Sequence, residues 1–164
     1  MSEEIPVSLA CAVLTVSDTR SAGDDTSGNL LAHNLAHAGH QCVRRDIVRD
    51  DIYQIRRVIS DWIADPEVQV ILTSGGTGFS HRDHTPAAIL PLLDREIPGI
   101  MEAVRRAGAA KTPLAALSRG YAGAAGSTFI INLPGSPKGV MDGLTVLDPV
   151  IGHLCDQLEG GHGH

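Results

Sequence analysis

Apolar and polar positions alternate in two rhythms along this chain. Residues 9–16 (LACAVLTV) and 68–73 (VQVILT) are short apolar runs that stop at small polar residues. Runs of that length predict strands buried on both faces. Thr128–Leu133 (TFIINL) reads the same way, and residues 42–48 read as a weaker strand. Between these runs the spacing changes to threes and fours. Leu30, Leu31 and Leu35 mark a helix over 29–38, with Gly39 as its C-terminal cap. Ile52, Ile55, Ile59, Trp62 and Ile63 share one face of a second helix, with aspartate before it as cap and Pro66 after it.

Thr85-Pro86 starts a third helix, Thr85 serving as cap, and Pro91 limits or kinks it. Pro98 opens another, to about residue 107, and 114–118 reads as short and extended. Two helical stretches, split near Pro149, finish the chain. Strands that alternate with helices, and are continuously apolar, predict a single three-layer α/β/α domain with a mostly parallel sheet. It should span residues 8–158, between tails at 1–7 and 159–164.

Composition narrows the class. The chain has 164 residues, 43% of them hydrophobic and 20% charged, an ordinary balance for one globular domain. No apolar run approaches the roughly 18 residues of a membrane span, and the start MSEEIP shows neither a basic nor an apolar leader region. Three cysteines without a CxxC pair read as reduced thiols, and the location expected is cytoplasmic. A net charge of −6 argues against general nucleic-acid binding but leaves room for a local anion site.

In a parallel α/β sheet, ligands bind beyond the carboxyl ends of the strands. Three strands here run into unusual loops: Ser17-Asp18, Ser74-Gly75-Gly76-Thr77-Gly78 and Pro134-Gly135-Ser136. All three belong on one edge. Glycines at 75, 76 and 78 let backbone N–H groups approach an anion. The loop is neither a Walker A sequence nor GxGxxG, and no GxSxG elbow is present. Asp50 and Asp83 each follow a strand and precede a helix. Either can be a solvated acid at a helix N-terminus. Together, beside a phosphate loop, two such carboxylates can hold Mg²⁺ along with substrate phosphates, and Arg82 and Lys138 can offset the phosphate charge. His33 and His37 have i, i+4 spacing, but no Glu follows as in HExxH and their helix faces away from the expected site; His81 and His84 lack a third ligand type, so zinc is not supported.

Six segments in order carry a resemblance: Thr15-Val16-Ser17-Asp18, Thr73-Ser74-Gly75-Gly76-Thr77-Gly78, Arg82-Asp83-His84-Thr85-Pro86, Asp94-Arg95-Glu96-Ile97-Pro98-Gly99, Leu117-Ser118-Arg119 and Asn132-Leu133-Pro134-Gly135-Ser136-Pro137-Lys138. With these, the chain resembles the MoaB/Mog family of molybdenum-cofactor biosynthesis proteins over about residues 8–158. The resemblance implies adenylylation of molybdopterin by Mg-ATP, with release of pyrophosphate. In that reading Asp50 and Asp83 are catalytic and hold Mg²⁺. Ser17, Asp18, Ser74, Gly75, Gly76, Thr77, Gly78, Ser118, Asn132, Pro134, Gly135 and Ser136 contact substrate. It also implies a homotrimer, or a hexamer in the MoaB branch, and a partner protein that inserts molybdate. The alternative is a non-catalytic molybdopterin-binding module of the MoaB branch. Asp25-Thr26-Ser27-Gly28 looks like the MoaB branch and the Asn132–Lys138 segment like the Mog branch.

Overall fold

The computed structural model describes residues 7–160. Most of the expected 1–7 and 159–164 tails, with His162 and His164, therefore lie outside the described residues. Six strands form one sheet in the order β2-β1-β3-β6-β5-β4. These are β1 (Ala10–Val16), β2 (Gln41–Val48), β3 (Val70–Ser74), β4 (Arg95–Glu96), β5 (Ala122–Ala125) and β6 (Thr128–Leu133). The β2-β1-β3-β6 half is parallel throughout, and β5 and β4 extend it antiparallel at one edge.

The pleat divides the core in two. Cys11, Val13, Val70, Leu72, Phe129 and Ile131 face one layer of helices, and Ala12, Leu14, Ile71 and Ile130 face the other. The first layer holds α1 (Thr26–His37), α4 (Pro98–Ala109) and α5 (Pro137–Leu158). The second holds α2 (Ile52–Ala64) and α3 (Thr85–Ile89). Full burial of side chains such as Ile55 and Ile59 on α2 stabilises by roughly 1.5–3 kcal/mol each. This is the expected three-layer domain.

Local expectations differ from the structure in several places; β4 and β5 are strands that no apolar run marks. Residues Pro113–Leu117 form a 3₁₀ turn, not an extended piece; Thr112 caps it by accepting from the Leu114 N–H. The chain ends in one helix, not two, because α5 runs through Pro149. Its apolar face, Val140 and Leu147 before the proline and Ile151 and Cys155 after it, packs against the sheet on both sides. That burial outweighs a proline cost of about 3 kcal/mol. At α3 the cap position is His84, and Thr85 is already helical because its hydroxyl is engaged elsewhere. Finally, α1 starts earlier than its leucines suggest, since Asp25 caps it by accepting from the Gly28 N–H.

Candidate functional site

The parallel half of the sheet brings the carboxyl ends of β1, β2, β3 and β6 to one edge. The 75–78 loop sits at its centre. Gly75 N–H donates to Leu133 O at 3.1 Å, and its φ of +96° is open to glycine but strained for other residues. A Cβ there would strike Val16 O, so the ends of β1, β3 and β6 close on one another with no spare volume. Gly135 lies against Gly75 from the β6 side, and Ser27 at the start of α1 donates its hydroxyl to Gly135 O at 2.7 Å.

Both aspartates reach this loop. Gly76 has φ +69°, and a Cβ on it would collide with Thr85 Oγ1 and lie 3.0 Å from Asp50 Oδ2. A Cβ on Gly78 would lie 2.8 Å from Asp83 Oδ2. Glycine is thus what lets two carboxylates crowd the loop. Asp50 is not the helix cap; Asp51 is, accepting from Tyr53 and Gln54 N–H. Asp50 instead accepts from the His84 N–H at 2.9 Å, and the His84 ring nitrogen Nδ1 stands 3.2 Å from the same oxygen. The Asp50 N–H is taken by Asp18 Oδ1 at 3.1 Å, which ties the β1 loop to the β2 loop.

Burial pushes the Asp50 carboxyl above the ordinary aspartate value. Its bonds to His84 pull it back, and the Asp83 charge lifts it again. A carboxyl raised by burial beside a second carboxylate is the pattern expected of a candidate functional position. Among the described residues no cluster of three or more His, Cys, Asp or Glu side chains forms a complete metal cage. Asp50 and Asp83 around a glycine cradle suit a hard cation that takes its remaining oxygens from substrate phosphates and water.

Beside the loop lies a cavity of about 580 Å³, within the usual range for small-molecule sites. Thr77, Gly78, Ser118, Pro134 and Ser136 from the sequence reading line it. Leu114, Leu117 and Val104 give it apolar walls. Arg105, Lys111 and Lys138 bring three cations against one acid, Asp142, in a chain that is negative overall. Ser136 caps α5 by accepting from the Gly139 N–H, so the positive end of a 22-residue helix also points at this region.

Other residues of the sequence reading fall elsewhere. Asn132 is fully buried behind the loops; its amide donates to Thr73 Oγ1 and accepts from the Tyr121 N–H. Ser17 uses its hydroxyl to accept from Thr19 and Arg20 N–H. Ser74 Oγ is buried with no hydrogen-bond partner. Arg82 is exposed and does not line the cavity, whereas Lys138 does. His33 and His37 stack on each other at 6.5 Å between ring centroids. Cys11 and Cys155 are buried free thiols, pushed up to about 12 and about 11, and so stay protonated and inert. The sequence reading missed Lys111, whose ammonium pairs with Asp142 thirty-one positions away. No local pattern marks such a pair.

Residues 12–153 match a family described as a probable molybdopterin binding domain. The chain belongs to this family. Molybdenum cofactor biosynthesis protein B of Escherichia coli strain K12 is 44% identical over 138 residues, covering 84% of this chain and 80% of the relative. A crystal structure of a molybdenum cofactor biosynthesis protein B superposes with a TM-score of 0.92 at 34% identity, over 96% of this chain and 99% of the other. The molybdopterin biosynthesis Mog protein from Mycobacterium ulcerans gives 0.85 at 41% identity, over 94% and 99%. The MoaB/Mog resemblance and the α/β fold drawn from the sequence are both borne out. No described helix is long and apolar enough to cross a membrane.

Proposed function

We propose that the chain acts in molybdenum cofactor biosynthesis by transferring AMP from Mg-ATP to molybdopterin. An oxygen of the molybdopterin terminal phosphate attacks the α-phosphorus of ATP. The new P–O bond forms as the bond to the β-phosphate oxygen breaks, and pyrophosphate leaves with the electron pair. Such transfer needs positioning and charge neutralisation more than a covalent nucleophile.

One observation carries this reading: two carboxylates crowd the glycine loop that also borders a cationic, apolar-walled cavity. The apolar walls and Ser118 suit a flat pterin. Lys138, Lys111 and the α5 N-terminus suit its phosphate. A carboxylate pair serves no purpose in a site that only binds phosphates, since it repels them. Its use is to hold Mg²⁺, through Asp50 and Asp83. The ion, when bound, offsets the charge that builds on the transferred phosphoryl oxygens.

The family likeness further supports a homotrimer. Light scattering should give about three times 17.2 kDa; a mass near 17.2 kDa contradicts it. The reaction itself is tested by giving purified protein molybdopterin and Mg-ATP. Pyrophosphate release that requires both is the expected result. Tight pterin binding without release would assign the chain to the binding-module alternative.

A further inference from the structure

Arg119 lies between the cavity and the carboxylates and belongs to neither. Its backbone N–H donates to Thr77 O at 2.9 Å. Its side chain then turns onto the next residues. Nε and Nη2 both donate to Gly78 O, at 2.8 and 2.6 Å, and Nη2 also reaches Asp83 O at 3.2 Å. The guanidinium carbon stands 5.0 Å from the centre of the Phe79 ring, a stacking that guanidinium favours. One side chain thus holds both ends of the 78–83 arc.

Among the described residues, the arc's remaining hydrogen bonds run within it. Ser80 N–H donates to Asp83 Oδ2 at 2.8 Å, and Asp83 N–H to Ser80 O at 3.0 Å. Phe79 is 71% exposed, so apolar burial contributes little to holding it. Among the described residues Arg119 forms no ion pair with a carboxylate. A cation spent on two backbone carbonyls and a ring is placed for geometry.

We propose that Arg119 is the positioning residue for the Asp83 carboxylate. It clamps the 78–83 arc so that the carboxylate stays beside Gly78 and rigidly related to Thr77 and Ser118 on the cavity wall. The inference rests on the adenylylation reading for its catalytic consequence, and on the hydrogen bonds for its structural content. A misplacement of about 1 Å at such a group costs about a hundredfold in rate. Lysine has no fork and cannot span both carbonyls while lying on the ring.

The test compares Arg119→Ala and Arg119→Lys with the parent by amide hydrogen exchange, pterin titration and pyrophosphate release. Exchange should accelerate in residues 78–84 and stay unchanged in β6. Pterin affinity should hold within about twofold while kcat falls by about a hundredfold and the Mg²⁺ needed for half-maximal rate rises. Lysine should restore little of the protection. Unchanged protection of 78–84 in both variants would overturn the clamp. So would equal losses of pterin affinity and rate, or acceleration throughout the sheet, since those mark a merely structural residue. If the alanine variant does not fold, the lysine variant decides by the same readouts. If the parent itself releases no pyrophosphate, the adenylylation reading falls and the exchange result alone decides the clamp.

Discussion

Asp50 shows at the scale of one residue how the site is set against stability. Its folded carboxyl sits above its unfolded value because burial disfavours the charge. The folded form therefore holds the proton more tightly than the unfolded chain. The resulting stability is present in acid, below the unfolded value of about 3.8, and is lost as pH rises through the raised folded value. Asparagine keeps an oxygen for the His84 N–H and carries no charge. Asp50→Asn should melt higher than the parent at pH 7, and the gain should vanish near about pH 3. Equal melting at pH 7 would remove the burial penalty from the account. Gly76 gives the companion test. Alanine there meets both a φ of +69° and Thr85 Oγ1, whereas Gly39, at φ +90°, has open space around it. Gly39→Ala should cost about 1 kcal/mol, and Gly76→Ala about 2–3 kcal/mol or more, read from denaturant midpoints. Sequence alone nominates Asp83 and the glycine loop from short local motifs, and Asp50 from its place between a strand and a helix. That Asp51 and not Asp50 caps α2 needed the structure.

Elements were legible where one face is apolar and obscure where tertiary packing decides. The α2 pattern fixed its face, and Ile55, Ile59 and Trp62 are indeed buried. Three of the four parallel strands, β1, β3 and β6, stood out as apolar runs, whereas β2 mixes polar and apolar residues and reads as a weaker strand. By contrast β5 reads Ala-Gly-Ala-Ala, with no β-branched residue, and is a strand because it pairs with β6. The unbroken α5 likewise depends on the sheet beneath it. The start of α1 was hidden because its cap, Asp25, looks like loop. That carboxylate is fully buried and accepts from Thr15 Oγ1 at 2.7 Å, Gly28 N–H at 3.0 Å and Arg45 Nη2 at 3.1 Å. It fastens α1 to β1 and β2. Asp25→Ala should cost about 3 kcal/mol, since it strips a cap and breaks an ion pair around a buried position. A urea titration showing less than about 1 kcal/mol would mean that the pair contributes little.

At the scale of the whole molecule, the site is a product of topology. Residues from the ends of β1, β2, β3 and β6 meet because those strands run parallel, which is why three loops far apart in sequence could be assigned to one edge. Of the cavity's cationic wall only Lys138 was legible: Arg105 and Lys111 come from the α4 region and meet the β6 loop only in the fold. Ser118 joins the two halves, lining the cavity with its hydroxyl 3.4 Å from Thr77 Oγ1. Ser118→Ala should weaken pterin binding by about 1 kcal/mol while the fold survives; unchanged affinity in a titration would place the pterin elsewhere. The central claim is that the carboxylates act on the transfer and not on pterin binding. Its most direct test is Asp83→Asn, measured for pterin affinity and pyrophosphate release in one preparation. Pterin affinity should be retained while release falls by about a hundredfold or more, near 2.7 kcal/mol of barrier. Full release in that variant would contradict it and return Asp83 to a solvated acid at a helix start.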